Sequence, residues 1–74
     1  MTRESEILLL LRYLNALDRK RGVEVQELAK FLGRSLQDVD LTVLALSDEG
    51  KVYLQRGRIW LTPLGFSVSL RDYS

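Results

Sequence analysis

The 74-residue sequence contains no cysteine and no histidine, and these two absences exclude several classes of function. A disulfide framework, a Ser/His or Cys/His nucleophile pair and a zinc site with thiolate or imidazole ligands are all impossible. The carboxylates and lysines have no recognisable catalytic spacing, and the glycines never approach the spacing of a phosphate-binding loop. We therefore expect no enzyme activity, no cofactor and no bound metal.

The sequence also lacks a long apolar run. The longest, Ile7 to Leu11, is far too short to cross a bilayer, and no signal-peptide pattern accompanies it. Hydrophobic content of 46% and charged content of 28% fit a folded globular chain of this length. We expect one domain covering residues 1–74 and no association with membranes.

The sequence also has no large excess of basic residues, because its net charge is only +1. Nucleic-acid binding would therefore depend on how the charges are distributed. Arginines and a lysine cluster at Arg19–Arg21, and two more arginines at Arg56 and Arg58, whereas a later segment is acidic (Asp38, Asp40, Asp48 and Glu49). The Arg19–Arg21 cluster could contact phosphates or could be solvated charge that complements a helix end.

Lys51 to Thr62, with the sequence KVYLQRGRIWLT, predicts a β-hairpin of a single register. A two-residue turn at Arg56-Gly57 places apolar residues opposite one another, with a positive φ at the glycine. The expected facing pairs are Val52 with Leu61, Leu54 with Ile59, and Tyr53 with Trp60. We interpret the two aromatic residues as a stabilising cross-strand pair in preference to a platform for stacked bases.

A first helix is predicted from a cap at Thr2 to about Lys20 or Arg21, with Gly22 ending it. Its apolar residues form two adjacent stripes. Together the two stripes cover a wider arc of the helix than a helix on the surface of a small domain has to bury. The second stripe is either covered within the monomer or is a dimer interface, with the candidate residues Leu8, Leu9, Tyr13 and Ala16.

The remaining segments predict one short strand and three more helices. Val23 to Val25 is extended and could add a third strand to the hairpin. The helices are expected at Gln26 to Leu32, at a segment capped by Ser35 and ended by Gly50, and after Thr62-Pro63. Residues expected to be buried on these helices are Leu28, Phe31, Leu32, Leu36, Val39, Val43, Leu46, Phe66 and Leu70.

This order of elements resembles the winged helix-turn-helix family over about residues 7–70. The most specific stretch is LAKFLGRS at Leu28–Ser35, followed by Val39, Val43, Leu46 and Gly50, and then by LTPLG at Leu61–Gly65. The resemblance implies an α+β fold with a three-helix core, a C-terminal two-stranded wing and a short closing helix. It also implies a cytoplasmic, homodimeric transcription regulator that binds double-stranded DNA.

In such proteins the third helix enters the major groove and the wing contacts the minor groove or backbone. The resemblance therefore implies wing contacts by Arg56 and Arg58, phosphate contacts by Lys30 and Arg34, and base contacts by Gln37 and Thr42.

The third helix departs from the family pattern because no residue from Ser35 to Gly50 is basic. Asp38 and Asp40 would repel phosphates, at about 2 kcal/mol for a contact of about 7 Å before screening. Leu41 and Leu44 either pack inward or form an apolar patch that binds a protein partner. The alternative function is thus a protein-interaction or dimerisation module that binds no DNA.

Overall fold

The expected α+β architecture is present in the computed structural model, which describes residues 2–73 with side chains through residue 71. Within this range four helices and three strands follow one another along the chain. They are α1 (Glu4–Tyr13), β1 (Val23–Glu24), α2 (Val25–Leu32), α3 (Leu36–Asp48), β2 (Val52–Gln55), β3 (Arg58–Leu61) and α4 (Pro63–Tyr73). None of these helices is long and apolar enough to span a lipid bilayer.

The hairpin has the predicted register. Val52 faces Leu61, Leu54 faces Ile59, and the rings of Tyr53 and Trp60 lie 5.5 Å apart at 37°. Both turn residues have a left-handed backbone, with φ of 52° at Arg56 and 79° at Gly57. Positive φ at both central residues is the geometry of the two-residue turn whose twist matches that of a β-hairpin.

A third strand completes the sheet, as the extended segment at Val23 predicted. β1 pairs antiparallel with β3, so the strand order is β1-β3-β2. Val25 belongs to α2 instead, and its N–H donates to the carbonyl oxygen of Gly57 at 3.0 Å. This bond fastens the tip of the wing to the start of α2.

The core lies where α1, α2 and α3 meet the inner face of the sheet. Its fully buried side chains include Ile7, Leu11, Leu28, Val39, Val43, Leu46 and Ile59. Phe31, Leu36 and Leu70 were predicted to be buried, but they are exposed. For Phe31 the reason is that Val25, Leu28 and Ala29 form the buried face of α2, which leaves Phe31 at its margin.

The first helix is shorter than predicted, and Gly22 does not end it. α1 stops at Tyr13, and Asn15 reverses the chain with a φ of 60°. The fully buried Ala16 then accepts a hydrogen bond at its carbonyl oxygen from the Leu61 N–H at 2.8 Å. The chain leaves the helix because this contact with the sheet replaces further helical hydrogen bonds.

Helix caps connect the elements. Ser35 caps α3 as predicted, since its Oγ accepts from the Asp38 N–H at 3.2 Å. Thr62 caps α4 as predicted, since its Oγ1 accepts from the Gly65 N–H at 3.0 Å and donates to the Gly50 carbonyl at 2.6 Å. Thr2 does not cap α1, whose N-cap is Arg3; the Thr2 N–H instead donates to Asp38 Oδ1 at 3.3 Å.

Lys51 joins the end of α3 to α1. Its ammonium lies 2.8 Å from Glu49 Oε1 and 3.5 Å from Glu4 Oε1. The hydrogen bond from Lys51 lowers the pKa of the Glu49 carboxyl, and the same bond raises the pKa of the Lys51 ammonium. Near the other end of α1, Arg12 Nη1 donates to the Ser69 carbonyl oxygen of α4 at 2.9 Å.

Candidate nucleic-acid interface

The predicted helix-turn-helix is formed by α2 and α3. Gly33 ends α2 with a φ of 64°, and Ser35 begins α3 two residues later. Lys30 is exposed in the last turn of α2, and Gln37 is exposed in the first turn of α3. The unit therefore presents α3 to solvent along most of its length.

Thr42 does not belong to this exposed face, and its predicted base contact is wrong. Its side chain is 8% exposed, and its hydroxyl donates to the Thr2 carbonyl oxygen at 3.0 Å. The segment before α1 crosses α3 at this point and covers the hydroxyl. A base edge could reach it only if that segment were displaced.

Leu41 and Leu44 point outward, so the interpretation that they pack inward is wrong. They are 61% and 48% exposed, because Val39, Val43 and Leu46 already fill the buried side of α3. The exposed face of α3 consists of Leu36, Gln37, Asp40, Leu41, Leu44 and Asp48. It contains three leucines, two carboxylates and no cation.

The wing tip and the start of α3 share one open cleft. Arg56 and Gly57 line it from the wing, Gln37 and Asp40 line it from α3, and residues 24–26 also line it. The cleft has a volume of ≈ 580 Å³. The structure thus brings together two of the predicted contacts, Arg56 and Gln37, although Asp40 and Glu24 add two negative charges beside them.

A second cleft gathers three arginines on the outer side of the wing. Arg19, Arg56 and Arg58 line it together with Glu24, Gln55 and Trp60. In the part of the chain that the structure describes, none of the three arginines forms an ion pair. Three unpaired arginines around one cleft, against the single carboxylate of Glu24, favour binding of an anion such as a phosphate.

Lys30 and Arg34 lie apart from the two wing clefts. Lys30 lies beside Glu27 and Phe31, and Arg34 forms an ion pair with Glu6 at 3.4 Å. Both side chains of this ion pair are partly exposed, and such a pair contributes only about 0–1 kcal/mol. Arg34 can therefore exchange Glu6 for another anion at little cost.

The predicted dimer interface is only partly on the surface. Leu8 and Ala16 are buried in the core, so their assignment to an interface is wrong. Ala16 is also beyond the end of α1, and the second stripe therefore does not continue that far. Leu9 and Tyr13 are exposed, Tyr13 by 82%, and line a shallow apolar groove with Leu10 and Leu32.

Comparison with known proteins identifies a similarity to a solved structure. No family model matches the chain, and no curated protein resembles it in sequence. The crystal structure of MepR, a transcription regulator of the Staphylococcus aureus multidrug efflux pump MepA, superposes with a TM-score of 0.72 at 25% identity. The match covers 96% of this chain and 53% of the MepR chain, so this chain spans about half the length of MepR. The fold is a winged helix.

One basic residue of this winged helix, Arg19, had been left open as either a phosphate contact or a solvated charge at a helix end. Arg19 was placed at a helix end, whereas it lies in the loop between α1 and β1 and joins the wing arginines. Its position depends on the turn at Asn15 and on the bond between Ala16 and Leu61. No local pattern in the sequence indicates that long-range contact.

Proposed function

We propose that this winged helix binds double-stranded DNA as a transcription regulator and that the wing makes the main contact. The observation that carries the proposal is the cluster of unpaired arginines, Arg19, Arg56 and Arg58, around one cleft. The similarity to MepR supports it, because that protein is a transcription regulator with the same fold.

The proposed contacts follow from the charges. Arg19, Arg56 and Arg58 bind phosphates or a narrow minor groove, as arginines do in many complexes. Gln37 shares a cleft with Arg56 and is the proposed base contact. Lys30 and Arg34 are proposed backbone contacts, with Arg34 leaving Glu6 for a phosphate.

The salt dependence of duplex binding tests this proposal. Alanine at both Arg56 and Arg58 should weaken binding and lower the slope of log K against log salt by about two. The matched control is alanine at Arg3 and Arg71, which are also exposed, because it removes the same charge away from the wing. Fluorescence anisotropy of a labelled duplex measures both slopes, and an unchanged slope in the wing variant would contradict the proposal.

We further propose a homodimer that forms through Leu9 and Tyr13. Both side chains are exposed, and the adjoining groove is mostly apolar, which favours burial against a second copy. Light scattering at high micromolar concentration should give the dimer mass, and Tyr13→Glu should give the monomer mass. A monomer mass for the unchanged protein would refute the dimer. A regulator of prokaryotic type would act in the cytoplasm.

A second candidate function, as a protein-binding module, is favoured by the exposure of Leu41 and Leu44. It predicts that a mixed-sequence duplex shows no binding even at low salt, where weak electrostatic association is strongest. The two functions share the exposed face of α3, but only DNA binding uses the wing arginines and only protein binding uses Leu41 and Leu44. Variants at these two sets of residues therefore test the functions separately.

A further inference from the structure

Apolar and acidic residues alternate along the exposed side of α3. Leu36, Asp40, Leu44 and Asp48 follow one another at four-residue intervals, and all four are exposed. Residues four apart lie on one ridge of a helix, with a rise of about 6 Å between them, so the ridge extends about 18 Å. Gln37 and Leu41 form a parallel row beside it, and we call these six residues the α3 ridge.

The α3 ridge has the composition of a protein-binding surface. Its three leucines are about half exposed or more, which leaves considerable apolar area in water. Phosphates would meet Asp40 and Asp48 there, and α3 itself contains no basic residue, although Arg56 of the wing shares a cleft with Asp40. An apolar surface flanked by carboxylates is complementary to a partner with apolar and cationic side chains.

We propose that the α3 ridge binds a cationic amphipathic helix of a second protein. This inference deepens the second candidate function and rests on it. A helix whose apolar and basic residues alternate at four-residue intervals would set its cations against Asp40 and Asp48. Its apolar side chains would then cover Leu36, Leu41 and Leu44, as an amphipathic helix does when it lies on an apolar surface.

The helices of this chain do not provide that partner surface. Within residues 2–73, α1, α2 and α4 each contain a single basic residue, namely Arg12, Lys30 and Arg71. Arg12 is moreover hydrogen-bonded to the Ser69 carbonyl. No helix of a second copy can therefore place two cations against Asp40 and Asp48, so a cationic helix bound to this ridge would come from a different protein.

A pair of synthetic helical peptides tests the inference. The first is an alanine- and glutamine-based peptide of about 18 residues with leucine and lysine alternating at four-residue intervals on one face. The second has glutamate in place of each lysine. In ¹⁵N-labelled protein we expect the lysine peptide to shift the amide resonances of residues 36–48, and the glutamate peptide to leave them unchanged.

A charge-reversed variant makes the test specific. Asp40→Lys combined with Asp48→Lys should weaken binding of the lysine peptide about tenfold or more and should create binding of the glutamate peptide. The matched control is Glu27→Lys, which reverses an exposed carboxylate on α2 and should leave both affinities unchanged. Far-UV circular dichroism of each variant checks that the fold is retained.

Three outcomes would overturn the inference. They are equal binding of both peptides, shifts confined to α1 or the wing, and concentration-dependent shifts of α3 without peptide, which would identify a second copy as the occupant. The slope of duplex binding in the Arg56 and Arg58 variant reports separately on the wing. Failure of the peptide test therefore leaves the DNA proposal standing, and the reverse also holds.

Discussion

The side chain of Arg58 lies directly against the Cα atom of Gly22. A Cβ at Gly22 would be 2.7 Å from Cγ of Arg58 and 3.0 Å from its Cδ. The contact holds the stem of Arg58 beside the loop that carries Arg19, which is how two arginines from distant parts of the chain come to share one cleft.

Gly22→Ala should displace Arg58 and disturb that cleft. We expect a loss of about 1–2 kcal/mol in the free energy of unfolding, since a methyl group must be inserted into a close contact. Urea denaturation measures the loss, and duplex binding should weaken in parallel. In an Arg58→Ala background the stem is gone, so most of the cost should disappear; an equal cost in both backgrounds would contradict this explanation.

Arg19→Ala should weaken duplex binding as an equal partner of the wing arginines. Loss of one phosphate contact lowers the slope of log K against log salt by about one. Arg21→Ala removes the same charge two residues away, but Arg21 is paired with Asp18 at 2.9 Å. The Arg21 variant should therefore keep a nearly unchanged slope. Equal slopes in the two variants would show that duplex binding depends on the net charge of the protein and not on the position of Arg19.

Gly65→Ala should be strongly destabilising. A Cβ at this position would overlap the carbonyl oxygen of Lys51, because α4 crosses the end of the α3–β2 connection without space for a methyl group. We expect a loss of about 3 kcal/mol in thermal or urea unfolding. Ser67→Ala, an exposed site on the same helix, should change stability by less than about 0.5 kcal/mol. A stable Gly65→Ala protein would mean that α4 approaches Lys51 less closely.

Thr42→Val should reduce stability and leave duplex binding unchanged. The substitution removes the hydroxyl that donates to the Thr2 carbonyl, at a cost of about 1 kcal/mol. Gln37→Ala is the complementary variant, because Gln37 is exposed: it should weaken duplex binding without changing the unfolding midpoint. Weakened duplex binding by a fully stable Thr42→Val protein would restore Thr42 as a base contact.

The wing could be predicted from the sequence because its pairing is local. Val52 to Leu61 contains both strands and the turn, so alternation and turn chemistry fix one register between them. The end of α1 could not be predicted in the same way. Apolar residues continue at helical spacing through Leu17, and only the distant bond between Ala16 and Leu61 decides that the helix has already ended.

The candidate site was predictable only in part, for a similar reason. Arg56 and Arg58 follow from the hairpin alone, whereas Arg19 reaches the same cleft through the fold of a loop. Helical spacing identified the buried residues Val39, Val43 and Leu46 of α3. It could not decide on which side Leu41 and Leu44 lie, because apolar residues occupy more of the helix surface than the core can cover.

At Arg56 the left-handed backbone conformation lowers stability, while the side chain is a proposed contact with nucleic acid. Glycine or asparagine adopts this conformation more readily, whereas arginine makes the turn less stable by about 1 kcal/mol. Selection for higher stability would replace Arg56, whereas selection for higher affinity for nucleic acid would retain it. We therefore expect a thermostable relative and a relative that binds nucleic acid tightly to carry different residues at the tip of the wing.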